Sequence, residues 1–232
     1  MSYAVGRKFV TNRITNRVGV VGVLIGLLLL AACSPAATPT PAPECPTEAP
    51  TSVSAQATLE DAAVATVRVS GAVEGEFAFA LHGDQAPIAT ANFVALARCG
   101  FYDGIKFHRV LAGFVIQAGD PGTKEHEGDF QGIGTGGPGY EFEIEPPASG
   151  LTYEPYSVSM ANDTRTNGSQ FFIALADLSA GLPPSYTIFG QVTSGTDVID
   201  EIAAVPVNDP QIGVPLTPVT IDSITISASP AE

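Results

Sequence analysis

Basic side chains are scarce in this chain: 10 Lys and Arg stand against 24 Asp and Glu, for a formal charge of −14. Four of the ten, Arg7, Lys8, Arg13 and Arg17, precede residue 18, so the remainder carries 6 basic residues against 24 acidic ones, a balance of −18. A surface of that sign repels phosphate backbones and anionic headgroups, which excludes nucleic-acid binding. Cysteine is also sparse. The three positions, Cys33, Cys45 and Cys99, match no zinc-ligand spacing, so no metal is expected. His82 and His108 have no triad partners, which leaves hydrolase chemistry without support. The apolar run from 18 to 32 is 15 residues long, short for a bilayer span. No internal repeat is apparent.

The chain begins with those four cations, then "VGVVGVLIGLLLLAA" (18 to 32), then Cys33. A charged start followed by a short apolar stretch is the pattern of a secretory signal. The closing "LLAAC" resembles the lipobox of bacterial lipoproteins, which implies a lipid on Cys33 and attachment to the cell-envelope membrane on its extracytoplasmic side. Residues 1–32 are therefore expected to be a signal peptide. Residues 33–58, dense in Pro, Ala, Thr and Ser, read as an extended tether that cannot bury a core. Residues 59–232 suit one domain. An exported chain permits a Cys45–Cys99 disulfide. Sequence does not fix their separation, and the expectation favours a Cys99 that simply fills space.

Within the domain, 65–71 and 75–82 alternate in polarity around a Gly-containing turn and read as a hairpin. Residues 87–99 read as a helix, with Pro87 in its first turn and Gly100 as the stop. Strands are expected near 107–110, 114–117, 156–160, 170–175, 187–192 and 219–227, and a second helix over 196–204. Many strands with only two helices suggest a mainly β fold, a closed antiparallel barrel with helical caps.

One run raises a chemical question. "FHRVLAGFVIQAGD" (107 to 120) sets Arg109 and Gln117 in otherwise apolar strands, although cations are scarce. Side chains of equal parity share a face of an extended chain, and Arg109, Val115 and Gln117 are all odd-numbered. An apolar neighbourhood supplies a guanidinium with no acceptors. The run is either a structural strand with a salt-bridged arginine or the floor of a site offering donors to a ligand.

That run, with "NFVALARCGFYDG" (92 to 104), "GIGTGGPGYEFE" (132 to 143), "SMANDTRTNGSQFFI" (159 to 173) and "YTIFGQV" (186 to 192), resembles cyclophilin-type peptidyl-prolyl isomerases, block by block and in family order over most of 62–228. The resemblance implies an eight-stranded closed antiparallel β-barrel capped by two α-helices, with no cofactor and no metal. It implies that Arg109, Phe114 and Gln117 are the catalytic group. It gives substrate contacts to Val115, Gly134, Ala161, Asn162, Gln170, Phe172, Leu182 and Tyr186. The implied partners are proline-containing polypeptides bound by a monomer, in this case exported proteins awaiting folding. A non-catalytic proline-peptide binding or chaperone module on the same fold stays open as the alternative.

The match has departures. The loop after Asn162 is about one residue shorter than in familiar members, and Asp163 replaces a small residue there. Gly181 stands where many members have a tryptophan that contacts cyclosporin, so weak inhibition is expected. "LPPSY" (182 to 186) replaces the usual turn beside the pocket. "GIGTGGPG" is followed by Pro138 and acidic residues, not by a helix, and so reads as a loop instead of a phosphate cradle. "KEHEGD" (124 to 129) reads as a solvated loop, and Asp163 and Arg165 as a local turn pair.

Overall fold

The computed structural model describes residues 43–126, 132–162 and 166–228. These belong to one compact unit, Pro41–Glu232. The signal peptide, Cys33, the first part of the tether, Asp163, Arg165 and the end of "KEHEGD" lie outside the described residues.

Among the described residues, nine strands form a single antiparallel sheet: β1 (Val64–Gly71), β2 (Gly75–Leu81), β3 (Arg109–Leu111), β4 (Val115–Ala118), β5 (Phe142–Glu143), β6 (Ser157–Asn162), β7 (Thr166–Ala174), β8 (Ile188–Ser194) and β9 (Val219–Ser227). Their order is β3-β4-β7-β6-β8-β2-β1-β9, with β5 pairing β7 off that path. Three α-helices accompany them among the described residues: α1 (Ser52–Leu59), α2 (Pro87–Arg98) and α3 (Thr196–Ala203).

Two expectations about architecture are corrected here. The sheet is a curled, open half-barrel instead of a closed eight-stranded barrel, and it carries three helices instead of two. No ladder joins β9 to β3. The segment just before β3 does pair with the start of β9, through the isolated bridge of Lys106 with Thr220 and the bonds from Gly104 N to Ile221 O (2.8 Å), Ile221 N to Ile105 O (2.8 Å) and Phe107 N to Val219 O (2.9 Å). Strand pairing in β3 begins at Arg109, with β4, so the chain there turns away from β9 before a second ladder can form.

The tether is corrected as well, over its second half. Thr51 caps α1 by accepting from Ser54 N, while Thr51 N donates back to Ser54 Oγ, a reciprocal pair that closes the first turn. Ala55 is fully buried, and Arg98 from α2 donates to Thr58 O (3.0 Å) and pairs with Asp61. A Cys45–Cys99 disulfide fastens the segment before α1 to the end of α2, so Cys99 is no mere space-filler. Its sequence separation of 54 restricts the unfolded chain by about 4 kcal/mol. Composition concealed this, because a helix of eight residues gains little from propensity and is held by the surface it docks on.

The core lies on one face of the sheet, beneath α2. Phe93 of α2 is its hub, with ring centroids 5.5 Å from Phe79, 5.0 Å from Tyr102, 5.6 Å from Phe171 and 5.2 Å from Phe189. Val110, Ile116, Ala118, Val158, Met160, Phe171 and Ile173 complete this face from β3, β4, β6 and β7. No side chain caps the start of α2 from the preceding turn. Glu145 does so from a distant loop, accepting from Ile88 N (3.0 Å) and Ala89 N (2.7 Å). The same loop bonds to Thr187 at the start of β8, which fixes the chain between the glycine-rich segment and the sheet.

Candidate active site

The period of two that sends Phe171 and Ile173 into the core sends Gln170 and Phe172 to the opposite face of β7. Register carries this across the sheet. Gln117 of β4 lies opposite Phe172, and Arg109 of β3 lies opposite Gln117. Arg109 and Gln117 therefore share a face, as parity required, with Val115 beside them and buried.

A chain of hydrogen bonds runs across these strands. Arg109 Nη1 donates to Gln117 Oε1 (3.4 Å), Gln117 Nε2 to Gln170 Oε1 (3.0 Å), and Gln170 Nε2 to Gly136 O (2.9 Å). The Gly136 amide in turn donates to Asp120 Oδ2 (2.9 Å). The Phe114 ring lies 5.8 Å from the guanidinium carbon of Arg109, within cation–π range. Among the described residues no carboxylate pairs with Arg109. Among the described residues Arg109 thus has a neutral acceptor and an aromatic face beside it instead of a salt bridge.

Asp120 is a site organiser that sequence reading missed. It is 1 % exposed, and its carboxylate accepts from Gly122 N (2.8 Å), Gly134 N (2.7 Å) and Gly136 N (2.9 Å). A Cβ at Gly136 would run into that carboxylate, and Gly134 has φ of +105°, so this wall must be glycine at both positions. The signal was present in the density of glycines after 131, but their tie to Asp120 spans 14 and 16 residues, separations no spacing rule connects. His108 sits behind the same wall. Neither imidazole nitrogen has a partner among the described residues, and burial, opposed by the nearby Asp120 carboxylate, lowers its pKa to about 4.

A cavity of about 800 Å³ opens beside this chain, lined by Gln117, Gly134, Ala161, Asn162 and Gln170 together with Tyr140 and Glu141. Behind it, buried Asn92 of α2 accepts from Tyr140 OH (2.8 Å) and donates to Gly168 O (2.9 Å), joining two of its walls. Burial pushes the Tyr140 hydroxyl up to about 12, so it stays a donor across the usable pH range.

Opposite Gln117 in the β4–β7 register, Phe172 is 5 % exposed and meets Tyr186 in a T-shaped contact at 5.5 Å. Asn162 Nδ2 donates to Ser185 O (2.8 Å), next to Tyr186. Leu182 stands four residues earlier in the same loop and is half-buried. The fold thus brings Arg109, Phe114, Val115, Gln117, Gln170, Phe172 and Tyr186 to one surface, with Gly134, Ala161 and Asn162 at the cavity alongside. Leu182 reaches that surface only through the loop it shares with Tyr186.

The chain is similar to proteins of one family. The family model for cyclophilin type peptidyl-prolyl cis-trans isomerases matches residues 64–226. The chain belongs to that family. It is 42 % identical over 147 residues to a peptidyl-prolyl cis-trans isomerase of Helicobacter pylori, covering 62 % of this chain and 82 % of that one. It is 41 % identical over 171 residues to peptidyl-prolyl cis-trans isomerase B of Streptomyces anulatus, covering 66 % and 91 %. A crystal structure of a cyclophilin type isomerase of Cryptosporidium parvum, determined in the presence of the dipeptide Ala-Pro, aligns with a TM-score of 0.61 at 31 % identity, over 72 % of this chain and 99 % of that one.

Proposed function

We propose that this cyclophilin is a peptidyl-prolyl cis-trans isomerase for exported proteins, carried as a monomer on a lipid at Cys33, and that Arg109 supplies its transition-state contact. Rotation about an X–Pro bond faces a barrier of about 18–20 kcal/mol because amide resonance is lost in the twisted state. No bond breaks, so neither a nucleophile nor a general acid is needed. What is required is tighter binding of the twisted amide than of either planar isomer.

The residues have that capacity. Phe114, Val115, Phe172, Leu182 and Tyr186 grip the proline ring and exclude water. Arg109 donates to the prolyl nitrogen as it becomes pyramidal, in a setting where a fixed charged donor acts at low dielectric. Gln117 and Gln170 hold the guanidinium, while Gly134, Ala161 and Asn162 line the path of the flanking substrate backbone. A roughly 10⁵-fold acceleration asks for about 7 kcal/mol, which a preorganised charged donor plus backbone anchoring can supply. The observation that carries this reading is that Arg109, half-buried on a strand, is positioned by a neutral glutamine and has no carboxylate partner among the described residues.

The extracytoplasmic setting is supported by the basic start, the apolar run and the small residues before Cys33. The Cys45–Cys99 disulfide adds to this, since such bonds persist in oxidising compartments. Labelling cells with a radioactive fatty acid tests the anchor: label on the wild type and none on Cys33→Ser supports it, and equal label on both refutes it.

Isomerisation itself is measured on the chain from Pro41 onward, by NMR exchange on an Ala-Pro tetrapeptide without a coupled protease. The wild type is expected to accelerate exchange, and Arg109→Ala to lose about 10²–10³-fold of that rate with its fold intact. Peptide binding without acceleration would make the chain a proline-peptide binding module on the same scaffold.

A further inference from the structure

The loop that carries Tyr186 is poor in its own hydrogen bonds. It reads "LPPSY", and Pro183 and Pro184 have no N–H to give. Both are exposed, and within 183–186 the backbone bond is that from Ser185 N to Pro183 O (2.7 Å). Apart from the bond that Ser185 O accepts from Asn162 Nδ2 (2.8 Å), a turn so built has little of its own to keep one shape, yet it sets the Tyr186 ring against Phe172, with the rings 84° apart.

Tyr153 supplies what the prolines withhold. It is 4 % exposed, and its hydroxyl stands among three backbone groups of this turn. It donates, in a three-centre arrangement, toward Pro183 O (3.0 Å) and Tyr186 O (3.1 Å), and accepts from Tyr186 N (3.1 Å). Its backbone carbonyl accepts from Leu178 N (2.9 Å), nearer the start of the same loop. Its ring meets Tyr186 at 6.4 Å and 76°. One residue outside the pocket therefore holds both limbs of the loop and touches the ring that forms the pocket wall.

We propose that Tyr153 is a positioning residue for the proline pocket, its hydroxyl fixing the 183–186 turn and thereby the Tyr186 ring against Phe172. This rests on Tyr186 being a wall of that pocket. The phenol acts on ground-state fit more than on the rotation step, because its partners are backbone groups of the turn and none of them belongs to the hydrogen-bond chain that ends on Arg109. Its loss is thus expected to weaken binding and raise KM while leaving kcat nearly intact.

Tyr153→Phe tests this, since it keeps the buried ring and removes only the hydroxyl. Ala-Pro dipeptide is titrated by NMR into the chain from Pro41 onward, as wild type, Tyr153→Phe, Tyr186→Ala and the double variant. The expected result is a Kd raised roughly 3- to 10-fold in Tyr153→Phe, the range a lost set of neutral hydrogen bonds produces. In the Tyr186→Ala background the same change is expected to add less than twofold, because the ring it positions is gone. KM for the Ala-Pro tetrapeptide is expected to rise in parallel, with kcat within about twofold of wild type.

Wild-type affinity in Tyr153→Phe, or effects that simply multiply in the double variant, would overturn the proposal. So would an unchanged Kd in Tyr186→Ala, which would remove Tyr186 from the pocket. The wild-type exchange rate, read in the same series, tests the isomerase reading by itself: binding without exchange refutes that reading and still decides the role of Tyr153.

Discussion

The two faces of β7 are built on different principles although their residues alternate along one strand. Phe171 and Ile173 point into a dry aromatic layer where shape and apolar area do the holding. Gln170 and Phe172 point to a face where a polar side chain is held by hydrogen bonds to Gln117 and to the Gly136 carbonyl. The core face is redundant: Phe93 alone meets four other rings. The site face is serial, each group placed by the next, from Asp120 through Gly136, Gln170 and Gln117 to Arg109. Removing a member of a redundant layer should cost stability, and removing a member of a series should cost rate.

Phe171→Ala and Arg109→Ala separate those costs most sharply. Phe171→Ala empties a buried ring site and is expected to lower unfolding free energy by about 3–5 kcal/mol, read from urea denaturation. The folded fraction that remains should isomerise at close to the wild-type rate. Arg109→Ala should do the reverse, losing its 10²–10³-fold in rate with a urea midpoint near wild type. If Phe171→Ala lowered the rate of the folded fraction as severely as Arg109→Ala, the faces would be coupled and the contrast would fail.

His108 sits where the faces meet, between the core and the Asp120 wall, and ties stability to pH. Burial holds its pKa near 4, against an ordinary value of 6.5. Below 6.5 the unfolded chain takes up a proton that the folded one refuses. Its contribution is thus fully present above about pH 6.5, falls as pH drops toward about 4, and levels off below that. The expected loss from this residue over that window is roughly 3 kcal/mol. Comparing denaturation at pH 7 and pH 4.5 for wild type and His108→Gln checks it: the variant should show a flatter dependence. An equal slope in both would mean that His108 gains a proton in the folded state without penalty.

The same contrast explains what sequence could and could not reveal. β9 was legible to the residue, and α2 nearly so, because burial on one face imposes a period that apolar side chains display. Arg109 was conspicuous because cations are rare, and parity placed it with Gln117. Asp120 was not, since two of its three acceptor bonds, those from Gly134 N and Gly136 N, join chain segments that no local period links. The Glu145 cap on α2, Asn92 behind the cavity and Tyr153 behind the LPPSY turn escaped for that same reason. The helix Ser52–Leu59 was hidden differently: its order comes from the surface of α2 and from the disulfide beside it, and its own composition is that of a linker. Openness of the sheet was invisible too, because it depends on whether the pairing of 104–107 with β9 runs on into β3 or stops before it.

The smallest expected effect tests the serial logic most directly. Gln170→Ala leaves Gln117 Nε2 without its acceptor and Gly136 O without its donor, but removes no group from Arg109 itself. Losing about 1–1.5 kcal/mol of positioning should lower kcat/KM roughly 5- to 10-fold, with little change in the urea midpoint. Gln170→Glu sharpens the point. The carboxylate still accepts from Gln117 Nε2 but cannot donate to the Gly136 carbonyl, so it restores one end of the series and breaks the other. If the Gln117 end governs Arg109, Gln170→Glu should recover most of the rate lost in Gln170→Ala. If the Gly136 end governs, the two variants should be equally slow, because the glycine wall loses its tie in both. An unchanged rate in Gln170→Ala would mean that Gln117 alone suffices, and that Arg109 is held by the strand pairing of β3 with β4 instead of by a series of side chains.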